Sequence, residues 1–281
     1  MNYENPTPQE DVNYSEEHPL KEFAQLIIGF SVALFIAVLT LSTAAGFLAK
    51  YIPLEYEQKM IAQTGFGSED LDGTLSNQDQ QVQQRLQSLA DKLIIQMDLP
   101  EKADIKVHYS SLETVNALAT LGGNIIFFKG LLEKIQTEEE LAAVMAHEIA
   151  HIQHRHPIVA LGRGVTIATL GSVIGGASGS AAGQWLIGNT VNLSLLKFSR
   201  NQESQSDATA AIALFKTYGH IQGTEKLFER FSELENEQID LSRGLDFFRS
   251  HPYSDKRWQD LVELAQKKHW PIRGELTPWQ L

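Results

Sequence analysis

His147 and His151 stand four residues apart in "AHEIAHIQHRHP", with Glu148 between them. On a helix that spacing brings both imidazoles to one face, where they can share one metal ion. Glu148 then lies one step round, within reach of a water on that ion. Two histidine ligands with a glutamate base are the HExxH pattern of zinc hydrolases. The same stretch contains His154 and His156, so four of the nine histidines fall within ten residues. A straight helix carries His154 a further turn away, so it reads as a supporting or surface residue rather than a ligand. His156 points elsewhere and reads as solvated. His108 and His220 are isolated and read as structural.

A catalytic zinc normally has three protein ligands and one open position, so the third ligand has to be sought. A metzincin would carry glycine and histidine at positions now held by His154 and Pro157, which excludes that arrangement. Further along, "FSRNQESQSDATAAIALF" sets Glu203 and Asp207 four apart on a predicted helix. In such a pair one carboxylate can ligate zinc while the other holds the ring N–H of a ligand histidine. Alone, the pair would read as a solvated acidic helix face. Beside HExxH, it reads as the missing part of the site.

These residues need elements to hold them. "TEEELAAVMAHEIAHIQHRHP" opens on Thr137 followed by Glu140, a capping-box pattern, and reads as helix until Pro157. Upstream, "DIKVHYSS" alternates like a strand, and "TVNALATL" and "GNIIFFKGLL" read as strands meeting near Gly122-Gly123. Residues from about 51 to 99 read as mostly helical, broken at "GFGSEDLDG". Within them Val82, Leu86, Leu89, Leu93 and Ile94 recur at helical spacing. A largely helical, amphipathic part follows residue 196.

The chain has 281 residues, 43% of them apolar, enough for a real core. Its formal charge of −12 and lack of a long basic run argue against a nucleic-acid partner. The absence of cysteine excludes disulfides and thiolate zinc ligands. Between Glu22 and Lys50, residues 23–49 carry no formal charge. As a helix this run reaches roughly 40 Å, more than the ~30 Å of a bilayer core. The acidic residues before it are the reverse of a signal peptide's basic start, so the run reads as an uncleaved single-pass anchor in the lipid bilayer. A bacterial inner membrane is the expected location, and residues 1–22 read as a disordered acidic tail.

A second charge-free tract lies between Arg163 and Lys197, with glycines at 171, 175, 179 and 183. It separates His151 from the acidic pair, which must meet it at one ion. One crossing would strand them on opposite sides of the bilayer. Two crossings need about 40 apolar residues plus a turn, more than the tract offers. The segment 158–196 is therefore expected not to span.

The blocks "NALATLGGNIIFFKGLL", "HEIAH", "SRNQESQSDA" and "SHPYSDKR" occur in the order seen in metallopeptidase family 48, which this chain resembles from about residue 80 to 265. The resemblance implies a gluzincin fold, α+β and mainly helical with a small β-sheet. It implies one zinc ion per chain on His147, His151 and Glu203, with Glu148 as catalytic base and Asp207 supporting a ligand histidine. The family pattern E-x-E-A-D is altered here, where Gln205 and Ser206 replace two residues that are not ligands. His251, in a recurrent His-Pro, is read either as an ordinary helix N-terminal turn or as a group near the zinc. In the second case it donates a hydrogen bond to the transition state or fills the open position. Gly122, Gly123, Asn124 and Ile125 form either a plain turn or the start of an edge strand on which an extended substrate pairs.

The resulting domain reading places a linker or helix at 50–77, the peptidase domain at 78–268 and a C-terminal tail at 269–281. The expected function is a membrane-anchored zinc endopeptidase acting on extended, misfolded or membrane-associated polypeptides. Its rival is a zinc-stabilised binding or chaperone-like module, which would have no use for the base Glu148.

Overall fold

The computed structural model describes residues 19–63, 76–100, 103–174, 198–236, 251 and 254–280. The fold is mainly helical with one three-stranded sheet. Helix α1 runs Pro19–Ala49, so the last residues of the acidic stretch already belong to it. Residues 1–18 lie outside the described residues. Among the described residues α1 is the one helix long and apolar enough to cross a membrane, and its large apolar side chains are exposed along its length. The short α2 (Leu54–Ala62) follows after Pro53.

Helix α3 (Asn77–Ile94) starts on a complete capping box between Ser76 and Asp79. It buries Val82, Leu86, Leu89, Ala90 and Leu93, the face its apolar spacing prescribes. Strands β1 (Lys106–Ser110), β2 (Ala117–Ala119) and β3 (Asn124–Phe128) form a sheet in the order β1-β3-β2. β1 runs parallel to β3, and β2 antiparallel. The outer edge of β1 is already covered. Gln87 accepts from the Val107 N–H at 2.9 Å and donates to the Ile105 carbonyl at 3.1 Å, and Gln83 accepts from the Tyr109 N–H at 3.2 Å.

The hairpin from β2 to β3 turns through Leu121–Gly123, with Gly122 and Gly123 both at positive φ. A side chain at Gly123 would also fall 2.6 Å from the Asp104 carbonyl, so glycine is required there twice over. This placement corrects one expectation. β3, which begins at Asn124 and Ile125, is the central strand, and both its edges are occupied. It cannot be the strand on which a substrate pairs. The run "NIIFF" buries its first four residues, the pattern of a strand covered on both faces.

After the single turn α4 (Lys129–Leu132), helix α5 (Glu138–Gln153) passes through the centre of the domain, buried nearly all round. Thr137 caps it, accepting from the Glu140 N–H at 3.2 Å. Glu140 itself reaches back to the Gln136 N–H and forms a two-pronged pair with Arg230. The C-terminal segment is bonded to the same end of α5, since Thr277 donates twice to the buried Glu139 carboxylate. α5 ends at Gln153, earlier than Pro157, because Arg155 adopts a left-handed conformation at φ 63. That unfavourable geometry is over-determined by its side chain, which ion-pairs with Glu57 of α2 at 2.5 Å and donates to the Ile52 carbonyl at 2.7 Å. Glu57 also accepts from the Gly122 N–H at 2.7 Å, so one buried carboxylate ties α2 to both the β2–β3 turn and the end of α5. Burial raises its pKa, while Arg155 and Gly122 act in the opposite direction.

Pro157 instead sits in the first turn of the next helix, α6 (His156–Ile174). Residues 175–197, the remainder of the glycine-rich tract, lie outside the described residues. The chain continues in α7 (Arg200–Tyr218), capped by Ser199 and Gln202 and closed by Gly219 at φ 80. α8 (Gln222–Asn236) and α9 (Asp255–Lys268) complete the described helices. The main core lies between α3, the sheet, α5 and α7, with Leu86, Leu93, Ile125, Phe127, Leu141, Met145 and Leu214 at its centre.

Candidate metal centre

Three elements meet over the C-terminal half of α5. That helix presents His147 and His151, one turn apart, toward Glu203 in the first turn of α7. His251, just before α9, closes the group from a third side. All four side chains are buried, and each offers one donor atom within 4.8 Å of the others. The Nε2 atoms of His147 and His151 lie 3.0 Å apart. His251 Nδ1 lies 3.2 Å from His147 Nε2 and 3.1 Å from Glu203 Oε1. Glu203 stands 3.4 Å from His147 and 3.5 Å from His151. Four donors at about 2.0–2.1 Å from one tetrahedral zinc would be roughly 3.3–3.4 Å from each other. The five donor pairs given above, at 3.0–3.5 Å, are close to those edge lengths, and the N/O chemistry is that of a zinc site.

The remaining ring nitrogens are also engaged. His147 Nδ1 donates to Asp207 Oδ1 at 3.0 Å, one turn beyond Glu203 on α7. Asp207 is held in turn by Arg257 of α9, at 2.6 Å through Nε and 2.7 Å through Nη2. Arg257 also reaches Glu203 at 3.1 Å. On the other side, His151 Nδ1 lies 3.0 Å from His156 Nδ1. This corrects the expectation that His156 is solvated: the left-handed turn at Arg155 folds it back, buried, against His151. Such partners fix the orientation and tautomer of a ligand imidazole. His154 caps α5 and bonds Thr209 at 2.8 Å, outside the donor group.

Glu148 is fully buried. Its Oε2 accepts from the Ala119 N–H at 2.6 Å, while Oε1 accepts no hydrogen bond and faces His251 Nε2 at 3.5 Å. Ala119 belongs to β2, whose opposite edge pairs with β3. The sheet edge beside Glu148 is thus that of β2.

The electrostatics follow from crowding charges in a dry place. Burial alone would lower the His147 pKa, but hydrogen bonds to Asp207 and Glu203 reverse this and hold it at about 10. A divalent cation at Nε2 competes directly with that proton. His151 is pushed down by burial and by the neighbouring His147 and His251 charges. Burial, with His154 nearby, pushes His156 down to about 4, so it is neutral at pH 7. Glu203 and Asp207 are lowered in spite of burial, Glu203 chiefly by His251 and His147, Asp207 by Arg257 and His147. Glu148 is raised by burial, which His251, His147 and the Ala119 N–H only partly offset.

The match to a family profile decides the assignment: the model of Peptidase family M48 covers residues 78–265. The chain belongs to Peptidase family M48. Among its relatives is the mitochondrial metalloendopeptidase OMA1 of Schizosaccharomyces pombe, 31% identical over 57% of this chain and 47% of that protein. The beta-barrel assembly-enhancing protease of Escherichia coli K12 is 24% identical over 55% of this chain and 33% of its own length. A protease HtpX homolog of Aquifex aeolicus is 27% identical over 65% of this chain and 72% of its own. The M48 chain thus spans about half, or less, of the first two relatives.

Arg257, His156 and the Ala119 N–H were not singled out by spacing. Arg257 lies inside "SHPYSDKR", and a basic residue there, near two carboxylates on another helix, is the signal that could have found it. Nothing local marks His156, because its role depends on one left-handed residue.

Proposed function

We propose that this M48 chain is a membrane-anchored, zinc-dependent endopeptidase. The observation carrying the reading is the close spacing of the His147, His151, Glu203 and His251 donors, with Glu148 Oε1 facing His251. His147, His151 and Glu203 would hold the ion. When bound, zinc supplies Lewis acidity toward the scissile carbonyl and lowers the pKa of water toward about 7.

The protein's own residues do the rest. Glu148, made more basic by burial and held in position by the Ala119 N–H, takes the proton of the attacking water and passes it to the leaving amine. Asp207 holds His147, His156 holds His151, and Arg257 fixes Asp207 and Glu203 together. Substrates are extended polypeptides, misfolded or membrane-associated, pairing with the edge of β2 rather than β3. The lipid bilayer takes α1, through residues 23–49. The relatives' names support the protease reading.

The test is metal removal. Purified full-length chain in detergent is expected to cleave casein, to stop on chelation and to recover with added zinc. Cleavage indifferent to chelation would overturn the proposal.

His251 is the fourth member of the donor set, so it would have to be displaced for a bound zinc to take up water at that position. His251→Ala is expected to keep stoichiometric zinc on the three remaining ligands and to raise cleavage of a short fluorogenic peptide. Zinc loss comparable to that of a ligand variant would instead make His251 an obligatory ligand.

A further inference from the structure

The contact between α1 and α6 has a direction. Ala49 clusters with Ile158, a side chain at Gly162 would fall 3.0 Å from Ala49 Cβ, and one at Gly46 would fall 2.9 Å from Arg163 Cγ. Ser42 donates to the Arg163 carbonyl at 3.4 Å. As numbering falls along α1 from 49 to 42, it rises along α6 from 158 to 163. The helices are antiparallel and close enough that a methyl group at Gly46 or Gly162 would force a neighbouring atom to shift. α6 therefore leaves the catalytic domain alongside the anchor and climbs it.

From Arg163 to Ile174 the helix has eleven more residues, about 16 Å. That carries it past Ser42, toward the middle of the apolar run of α1. Arg163 is the last formal charge before Lys197, and it stands beside Gly46, one turn before α1 ends at Ala49. A long cationic side chain is suited to the bilayer boundary and the uncharged residues after it to the interior. Ile167, one turn beyond Arg163, is 54% exposed, as Leu39 of α1 is at 51%.

We infer that α6 beyond Arg163 is embedded in the bilayer beside α1, and that the chain re-enters the membrane between its two metal-binding helices. This rests on the reading of α1 as a membrane anchor. Phe198, where the described chain resumes, has its ring 4.1 Å from that of His151 and so lies on the side from which α6 departs. The 16 Å climb of α6 is about half of the ~30 Å core. Its consequence is positional. His156, in contact with His151, is only seven residues, about 10 Å, from Arg163, so the site is held close to the membrane surface.

The chain has no cysteine, so single-cysteine variants report cleanly. Full-length Ile167→Cys, Leu39→Cys and Lys267→Cys would be labelled with bimane in detergent and reconstituted in phosphatidylcholine vesicles, with and without brominated acyl chains. Ile167 is expected to be quenched as strongly as Leu39, with Lys267 unaffected. Quenching at Leu39 but not at Ile167 overturns the inference and leaves the anchor standing. Blue-shifted but unquenched emission at Ile167 means that protein, such as a second copy, covers this face, and overturns it as well. Loss of quenching at both positions removes the anchor reading and the inference together.

Discussion

Glu148→Gln is expected to leave the zinc content of the purified chain unchanged while lowering its proteolytic rate by about 10²–10⁴-fold, or about 3–5 kcal/mol of barrier. Glutamine has the same shape and can still accept from the Ala119 N–H, so the 2.6 Å contact that positions residue 148 survives. Only the ability to take a proton is lost. Zinc quantified by atomic absorption, beside casein turnover on the same sample, separates the two effects. Undiminished turnover would sink the assignment of Glu148 as base. Lost zinc would show that the side chain supports the metal instead.

Glu203→Gln has the opposite signature. The variant keeps the helix and its capping box at Ser199 but removes the anionic donor facing His147, His151 and His251. It also takes one of two carboxylates from the buried guanidinium of Arg257. Replacing a residue that merely orients a ligand typically costs about 10–100-fold in metal affinity, and loss of a direct ligand should exceed that. Competition against a chromophoric zinc chelator measures it. Affinity within the orienting range would move Glu203 out of the inner set and return the choice between it and Asp207 to the open.

How much of this was legible beforehand varied with the distance over which each feature is decided. The capped start of α5 at Thr137, the buried face of α3 and the pairing of His147 with His151 rest on periodicity within a few residues. So does the spacing of Glu203 from Asp207. The turn at Gly122-Gly123 was likewise visible, because two adjacent glycines mark a break between apolar runs. The neighbours of β3 were not. Whether a strand is central or at an edge depends on what pairs beside it, and β1 and β2 approach β3 from opposite sides. The role of β2 passes unnoticed in "NALAT" because a backbone N–H has no letter in the sequence.

The amino-acid sequence by itself determined the chemistry available: two histidines on one helical turn, a glutamate between them, an acidic pair farther on and an apolar run long enough for a bilayer. Helical repeat and side-chain type are local properties, so they can be read locally. Tertiary structure alone decided which groups surround that site. One left-handed residue, Arg155, held by a glutamate nearly a hundred positions earlier, turns His156 back onto His151 and sends α6 along α1. Arg257 reaches Asp207 and Glu203 only because α7 and α9 pack together. Long-range packing sets those contacts, because it brings together charged side chains that lie far apart along the chain and that must be paired once they are buried.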